Sequence, residues 1–336
     1  MRPDEKKNVN AAESTPNRIA VIIPTFNASR YWPALSEGIC AQSHAPQHVL
    51  VIDSSSSDGT AELARRDGFD VLEIASSGFN HGATRQMGAD LAVDADILIY
   101  LTQDAVPHDR EAFANLVRAF ADPEIGAAYG RQLPREHATP IEAHARRFSY
   151  SRASLVRSWE SRKSMGFKSI FFSNAFGAYR REALMSVGGF SPDVIFGEDT
   201  LVVARMHRAG WKTTYVANAT VRHSHAHSIA EEFRRYFDIG VLHARENWLI
   251  EQFGSASGEG RRFVLSELKY LLRNAPHYVP SAVARTIAKY AGYKIGRRES
   301  RIAPGLKYHL GLNRQFWKAQ EPHIDEERAT RRSTAA

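Results

Sequence analysis

One cysteine, Cys40, stands alone among 336 residues, which excludes an intramolecular disulfide and any thiolate zinc site, since each needs at least two thiols. It falls within the apolar helical stretch Tyr31 to Gln42 and reads as inert. Long hydrophobic runs are also missing: Ile19 to Ile23 and Ile97 to Leu101 are far short of the ~18 to 20 residues that cross a bilayer. The first residues, to Asn17, carry charge but no apolar segment of a secretory signal, and they read as a disordered tail on a cytoplasmic protein. No G-x-G-x-x-G follows the first strand and no G-x-x-x-x-G-K-[ST] occurs anywhere, so neither a dinucleotide fingerprint nor a P-loop is available. Helix-turn-helix, RNP and zinc-finger patterns are absent as well, and no nucleic-acid partner is expected.

What is present is an ordinary folded composition. Hydrophobic residues make up 43% and charged residues 24%, with 22 Gly and 14 Pro, which excludes collagen-like and low-complexity classes. The net charge of +7 is unevenly placed, because Arg261 to Lys318 holds 13 Lys and Arg against only Glu267 and Glu299. A basic segment dotted with Tyr270, Tyr290, Tyr308 and Trp317 can meet an anionic lipid surface or a phosphorylated substrate; a solvated helical face is the plain alternative.

Strand and helix signals alternate through the first half. Arg18 to Ile23, His48 to Asp53, Phe69 to Ile74, Asp96 to Leu101 and Ile125 to Gly130 read as strands, separated by helices near Tyr31 to Gln42, Ser57 to Arg66, Gly82 to Val93 and His108 to Ala121. Such βαβ alternation predicts an α/β protein with a doubly wound, mostly parallel sheet, whose ligands bind beyond the carboxyl ends of the strands. The segment from Pro134 to Lys168 is rich in Arg and His and reads as an irregular or helical excursion. Further strands are expected at Ser173 to Tyr179, Trp211 to Val216 and Ala219 to His223, with a helical extension over 229–336.

The strand ends are polar where a ligand is expected: Thr25-Phe-Asn27, Asp53-Ser-Ser55, Phe79-Asn-His-Gly82 with Arg85, and Thr102-Gln-Asp-Ala105. A nucleotide held without glycine-rich loops needs a carboxylate for a base N–H or ribose hydroxyl, an arginine, and commonly a metal for its diphosphate. His223, His225 and His227 alternate, so an extended backbone would turn three imidazoles to one side, as a metal or diphosphate site or as a polar strand end. Asp58 reads as a helix N-cap, and Trp159, Phe171, Phe172 and Trp211 as core.

With Pro24-Thr-Phe-Asn27, Val51 to Thr60, His81 to Arg85, Leu101 to Ala105 and Phe196-Gly-Glu-Asp199 in this order, residues 18–228 resemble the inverting family 2 glycosyltransferases of GT-A fold. Within that family, Phe79 to Arg85, Thr102 to Ala105 and His223-Ser-His225 look most like bacterial rhamnosyltransferases of surface polysaccharide synthesis. The resemblance implies a nucleotide-sugar donor, dTDP-L-rhamnose, and a glycan or lipid-linked acceptor at the inner face of the cell membrane. It assigns Thr25, Asp53 and Arg85 to the nucleotide, Asp104 to a divalent cation (Mg²⁺ or Mn²⁺) with His223 or His225 beside it, and Asp199 to the general base. A base at a helix N-terminus should stay ionised. The chain departs from the family pattern at Gln103, which replaces the first acid of the metal motif, and at Gln86, where an Asn often follows the Arg. The rival readings are a sugar-nucleotidyltransferase and a non-enzymatic basic protein that binds nucleotides or nucleic acid.

Overall fold

The computed structural model describes residues 18–255 and 257–320, so the tail expected to Asn17 lies outside the described residues. Nine strands are found among them: β1 (Ile19–Thr25), β2 (His48–Asp53), β3 (Asp70–Glu73), β4 (Ile97–Leu101), β5 (Val106–Pro107), β6 (Ile125–Leu133), β7 (Leu155–Arg157), β8 (Phe176–Arg180) and β9 (Lys212–Arg222). They form one sheet in the order β3-β2-β1-β4-β8-β6-β9-β5, with β7 also paired to β9. β1 to β4, β6 and β9 run one way; β8 enters between β4 and β6 against them, and β5 and β7 run antiparallel to β9. The α/β architecture with a mostly parallel sheet is therefore as expected.

Continuous apolar runs explain the central strands, which are covered on both faces. In β1, Ala20 and Ile22 join one core cluster while Ile19, Val21 and Ile23 join the other. The short strands β5 and β7 carry no pattern of their own, and they exist because β9 offers them hydrogen bonds. The two strands expected over 211–223 are one long β9, interrupted where Gly130 pairs with Val216 and the next residue, Arg131, with Thr220. That irregularity redirects the end of β9 toward the loop after β4. Cys40 ends the helix Trp32–Cys40 and is exposed rather than enclosed.

The extension begins with helix Ile229–Arg245, capped by Ser228 and Glu231, and continues through Asn247–Phe253, Ser257–Asn274, Val279–Gly296 and Pro304–Leu310. Helices Ile229–Arg245 and Val279–Gly296 approach so closely that a Cβ at Gly292 or Gly296 would collide with the carbonyls of Phe233 and Phe237. Phe237 and Val241 also pack with Ile195, Phe316 and Trp317, so the end of the extension folds back onto the loop before helix Glu198–Arg208. Asp238 secures it, accepting from the backbone N–H groups of Leu312 (3.1 Å) and Asn313 (2.9 Å). Gly296→Ala is expected to lower stability by ~1 to 3 kcal/mol through overpacking, despite alanine's better helix propensity. A denaturation midpoint at or above wild type would contradict that close approach.

Candidate active site

Three groups converge at the carboxyl edge of the sheet. Asp104 follows β4 and is buried; His223 and His225 follow β9, and the pairing of Val106 with Arg222 draws the two segments together. His223 Nε2 lies 3.3 Å from Asp104 Oδ1 and His225 Nε2 lies 3.5 Å from Oδ2. One ligand atom from each residue falls within 4.8 Å of the others. The second nitrogen of His223, Nδ1, is 2.8 Å from Gln132 Oε1, and the Gln132 amide in turn donates to Ser173 Oγ at 2.8 Å. An amide oxygen can only accept, so Nδ1 carries the proton and Nε2 presents a lone pair. That buried Nε2 has no hydrogen-bond partner, which is the condition of an imidazole prepared for a cation.

The protonation states agree with that role. Burial drives His223 below the usual imidazole range, and burial followed by the charge of His223 pushes His225 down to about 3. Burial works against the Asp104 carboxylate, yet the hydrogen bond and charge that His223 supplies when protonated, and then the charge of protonated His225, hold it well below the usual carboxylate range. Two neutral imidazoles and one ionised carboxylate form a donor set that a divalent cation can use. His227 stacks on His225 at 5.3 Å but stands outside this group. Gln132→Leu is expected to weaken Mn²⁺ binding by ~10 to 100-fold, because the imidazole loses the acceptor that fixes its tautomer. An unchanged Mn²⁺ titration would remove Gln132 from the assembly.

Gln103, in the place of an acid, faces the other way. Its Oε1 accepts from Phe26 N–H at 2.7 Å and its Nε2 donates to Phe26 O at 3.1 Å, so it clamps the loop after β1. In that loop Thr25 donates to Asp53 Oδ1 at 2.8 Å. Asp53 has no exposed surface; Ser56 donates to it through its N–H at 2.8 Å and its hydroxyl at 2.6 Å. A base N–H that reaches this carboxylate must displace part of the Ser56 turn. Asp58 lies one residue before the Gly59 N-cap, and it holds Thr60 N–H at 3.2 Å and Ser29 N–H at 2.9 Å.

Asp199 lies in the first turn of helix Glu198–Arg208. Its carboxylate accepts from Thr200 N–H at 2.7 Å and from Asn174 N–H at 3.2 Å. Burial, and then the charge of Glu198, work against the helix end and raise it to about 7. Glu198 is itself buried, 3.2 Å from Arg85 Nη1 and 3.1 Å from Asn174 Nδ2. Arg85 is therefore committed inward, to Glu198 and to the His81 carbonyl at 3.0 Å. His81 continues the chain of contacts to Asn313 Oδ1 at 3.2 Å, which ties the extension to this corner.

Ser173 and Asn174 connect the two halves, since Ser173 supports Gln132 and Asn174 supports Glu198 and Asp199. With this geometry in view, residues 16–237 match the family "Glycosyltransferase like family 2". The chain belongs to glycosyltransferase family 2. This glycosyltransferase is 43% identical over 301 residues to the O-antigen chain rhamnosyltransferase RfbN of Salmonella typhimurium, covering 89% of this chain and 96% of that protein. It is 39% identical to the O-antigen chain rhamnosyltransferase WbaN of Salmonella anatum, covering 88% and 95%. Its fold is shared with the mannosyltransferase PcManGT from Pyrobaculum calidifontis, solved with GDP-Man and Mn²⁺, at a TM-score of 0.54 and 20% identity over 90% of this chain and 85% of that one.

Several residues of this glycosyltransferase were not visible from its strand ends. Arg135 donates to Asp104 Oδ2 at 3.0 Å and to its carbonyl at 2.8 Å. Arg146 is half-buried, and desolvation lowers its pKa, while Arg235 lies over Phe196 at 5.5 Å; both bear electrostatically on the histidine run or its surroundings. The Arg-rich composition of Pro134 to Lys168 was the available signal. Gln132 could have been found by inspecting the end of β6 as the other strand ends were inspected.

Proposed function

We propose that this glycosyltransferase transfers L-rhamnose from dTDP-L-rhamnose, with inversion, to a glycan or lipid-linked saccharide in surface polysaccharide synthesis. The observation that supports the reading is the Ser173-Asn174 segment, whose hydrogen bonds link the Asp104-His223-His225 group, through Gln132, to Asp199. The rhamnosyltransferase relatives support the sugar. Asp199 accepts the proton of the acceptor hydroxyl, and direct displacement needs no protein nucleophile. Thr25 and Asp53 shape the nucleotide end, while Arg85 braces the first turn of helix His81–Leu91 beside it. A divalent cation at Asp104, His223 and His225 would neutralise charge on the leaving diphosphate, and the imidazoles favour Mn²⁺ over Mg²⁺. The test is a panel of nucleotide sugars with each cation: transfer should be greatest with dTDP-L-rhamnose and Mn²⁺, and a clear preference for another donor would overturn the sugar assignment.

A site at an anionic membrane surface completes the proposal. Among the described residues no helix is long and apolar enough to cross a membrane. Helix Val279–Gly296 nevertheless exposes Val283, Ile287 (64%) and Tyr290 (65%) at helical spacing, and its neighbour Ser257–Asn274 exposes Leu265 and Leu272. Arg261, Arg262, Lys269, Arg273 and Lys294 are exposed on the same helices, while Glu267 is buried. An apolar stripe with a basic border suits anionic headgroups, at ~1 kcal/mol per contacting cation. Ile287→Glu with Leu272→Glu should markedly reduce binding to phosphatidylglycerol vesicles at low salt. Equal binding by the double variant and the wild type would remove this face from the proposal.

A further inference from the structure

Away from the catalytic corner, a cavity of about 370 Å³ opens between the end of helix Pro140–Ser149, β7, the Ser164 to Lys168 turns and the start of helix Ser257–Asn274. Three cations line it: Arg157, Lys168 and Arg262. Glu259 pairs with two of them, at 2.5 Å from Lys168 and in direct contact with Arg262. Arg157 has no such partner. It is only 4% exposed, donates from Nη1 to the Phe171 carbonyl at 2.7 Å, and lies over the Tyr129 ring at 5.5 Å. Its Nε has no acceptor, and among the described residues no carboxylate lies within ion-pair distance.

A buried arginine without a counter-ion is unusual, because arginine cannot shed its charge and an isolated buried charge is strongly unfavourable. Nearby His207 is no counter-ion in either protonation state, and burial and then the charge of Arg157 push its pKa down to about 4. The hydroxyl of Ser149 adds a donor to the cavity wall, whereas those of Ser151 and Ser164 already donate to the carbonyls of Ala153 and Ser161. We propose that this cavity binds a phosphate-class oxyanion, with Arg157 as its buried anchor and Lys168 and Arg262 at its mouth. Two sources share that chemistry: the diphosphate of a lipid-linked acceptor, which rests on the acceptor reading above, and free phosphate or diphosphate. The first is supported by Arg262, which belongs to the helix that also exposes Leu265 and Leu272.

The experiment is calorimetric titration of inorganic pyrophosphate into the full-length protein in chelator, so that no cation recruits it to Asp104. One-to-one binding is expected, weakened at least ~10-fold by Arg157→Met, as for loss of a buried charge partner. Arg262→Gln, a change at an exposed side chain that leaves the core intact, should weaken it several-fold, while Asp104→Asn should not. No binding by the wild type, equal binding by both arginine variants, or loss only in Asp104→Asn would overturn the proposal. The source is then read from the acceptor KM of Arg262→Gln. A rise for a lipid-diphosphate saccharide but not for the same saccharide as a simple glycoside identifies the acceptor's diphosphate. No rise for either, with pyrophosphate binding weakened, identifies a free phosphate ligand; a rise for both points to sugar recognition and overturns the phosphate assignment. Because the titration uses no acceptor, failure of the acceptor reading would leave its result intact.

Discussion

Asp199→Asn is expected to lower the transfer rate by ~10² to 10⁴-fold at saturating donor and acceptor, the range for loss of a positioned general base. The amide cannot take the acceptor proton, and it also turns an N–H₂ toward one of the two backbone N–H groups, Thr200 or Asn174, that its carboxylate satisfied. Some stability is lost with it, ~1 to 3 kcal/mol, so the rate must be measured below the variant's melting transition. The wild type supplies the second check. With Asp199 raised to about 7, chiefly by burial, activity should fall as pH drops below ~7 because the protonated acid is no base. Glu198→Gln removes the like charge and should move that acid limb to lower pH. It also strands buried Arg85, so a stability loss of ~3 to 5 kcal/mol accompanies the shift. A D199N rate near wild type, with an unshifted limb in E198Q, would move the base elsewhere.

The second large effect belongs to Asp104. Asp104→Asn should remove most transfer, and so should chelation of the wild type, because several kcal/mol of charge stabilisation correspond to at least ~10²-fold in rate. The two treatments should not add: chelator applied to the variant should change little, since both remove the same contribution. Donor affinity measured without metal should stay close to wild type in the variant, since Thr25 and Asp53 lie at the ends of other strands. Full activity of the wild type in metal-free buffer would end the cation proposal.

The strand ends were legible because each lay where an apolar run met a polar cluster, and that pattern placed Asp104, Asp53 and Arg85 at one edge of the sheet. The orientation of those side chains was not legible. Arg85 turns toward Glu198, and Gln103 turns toward Phe26. Both choices depend on partners far away in the chain, to which local pattern is blind. The upward push on Asp199 was not legible for a related reason: the helix end is visible in sequence, but the burial and the second carboxylate that work against it are products of packing. Gln132 escaped because its function is to accept one hydrogen bond from His223, and a lone glutamine near the end of a strand stands out only when that strand end is inspected with the others.

The glycine seam between helices Ile229–Arg245 and Val279–Gly296 bears on how this enzyme can be taken apart. The matched family region ends at residue 237, in the middle of the first of these helices. A chimera joined there, grafting this catalytic half onto a relative's C-terminal half, would place a foreign surface against Phe233 and Phe237, where nothing larger than glycine fits. Exchanges intended to reprogram acceptor choice should carry the pair of helices together, or be cut ahead of Ser228, because the segment that matches the family as a whole and the segment that packs as a body have different borders.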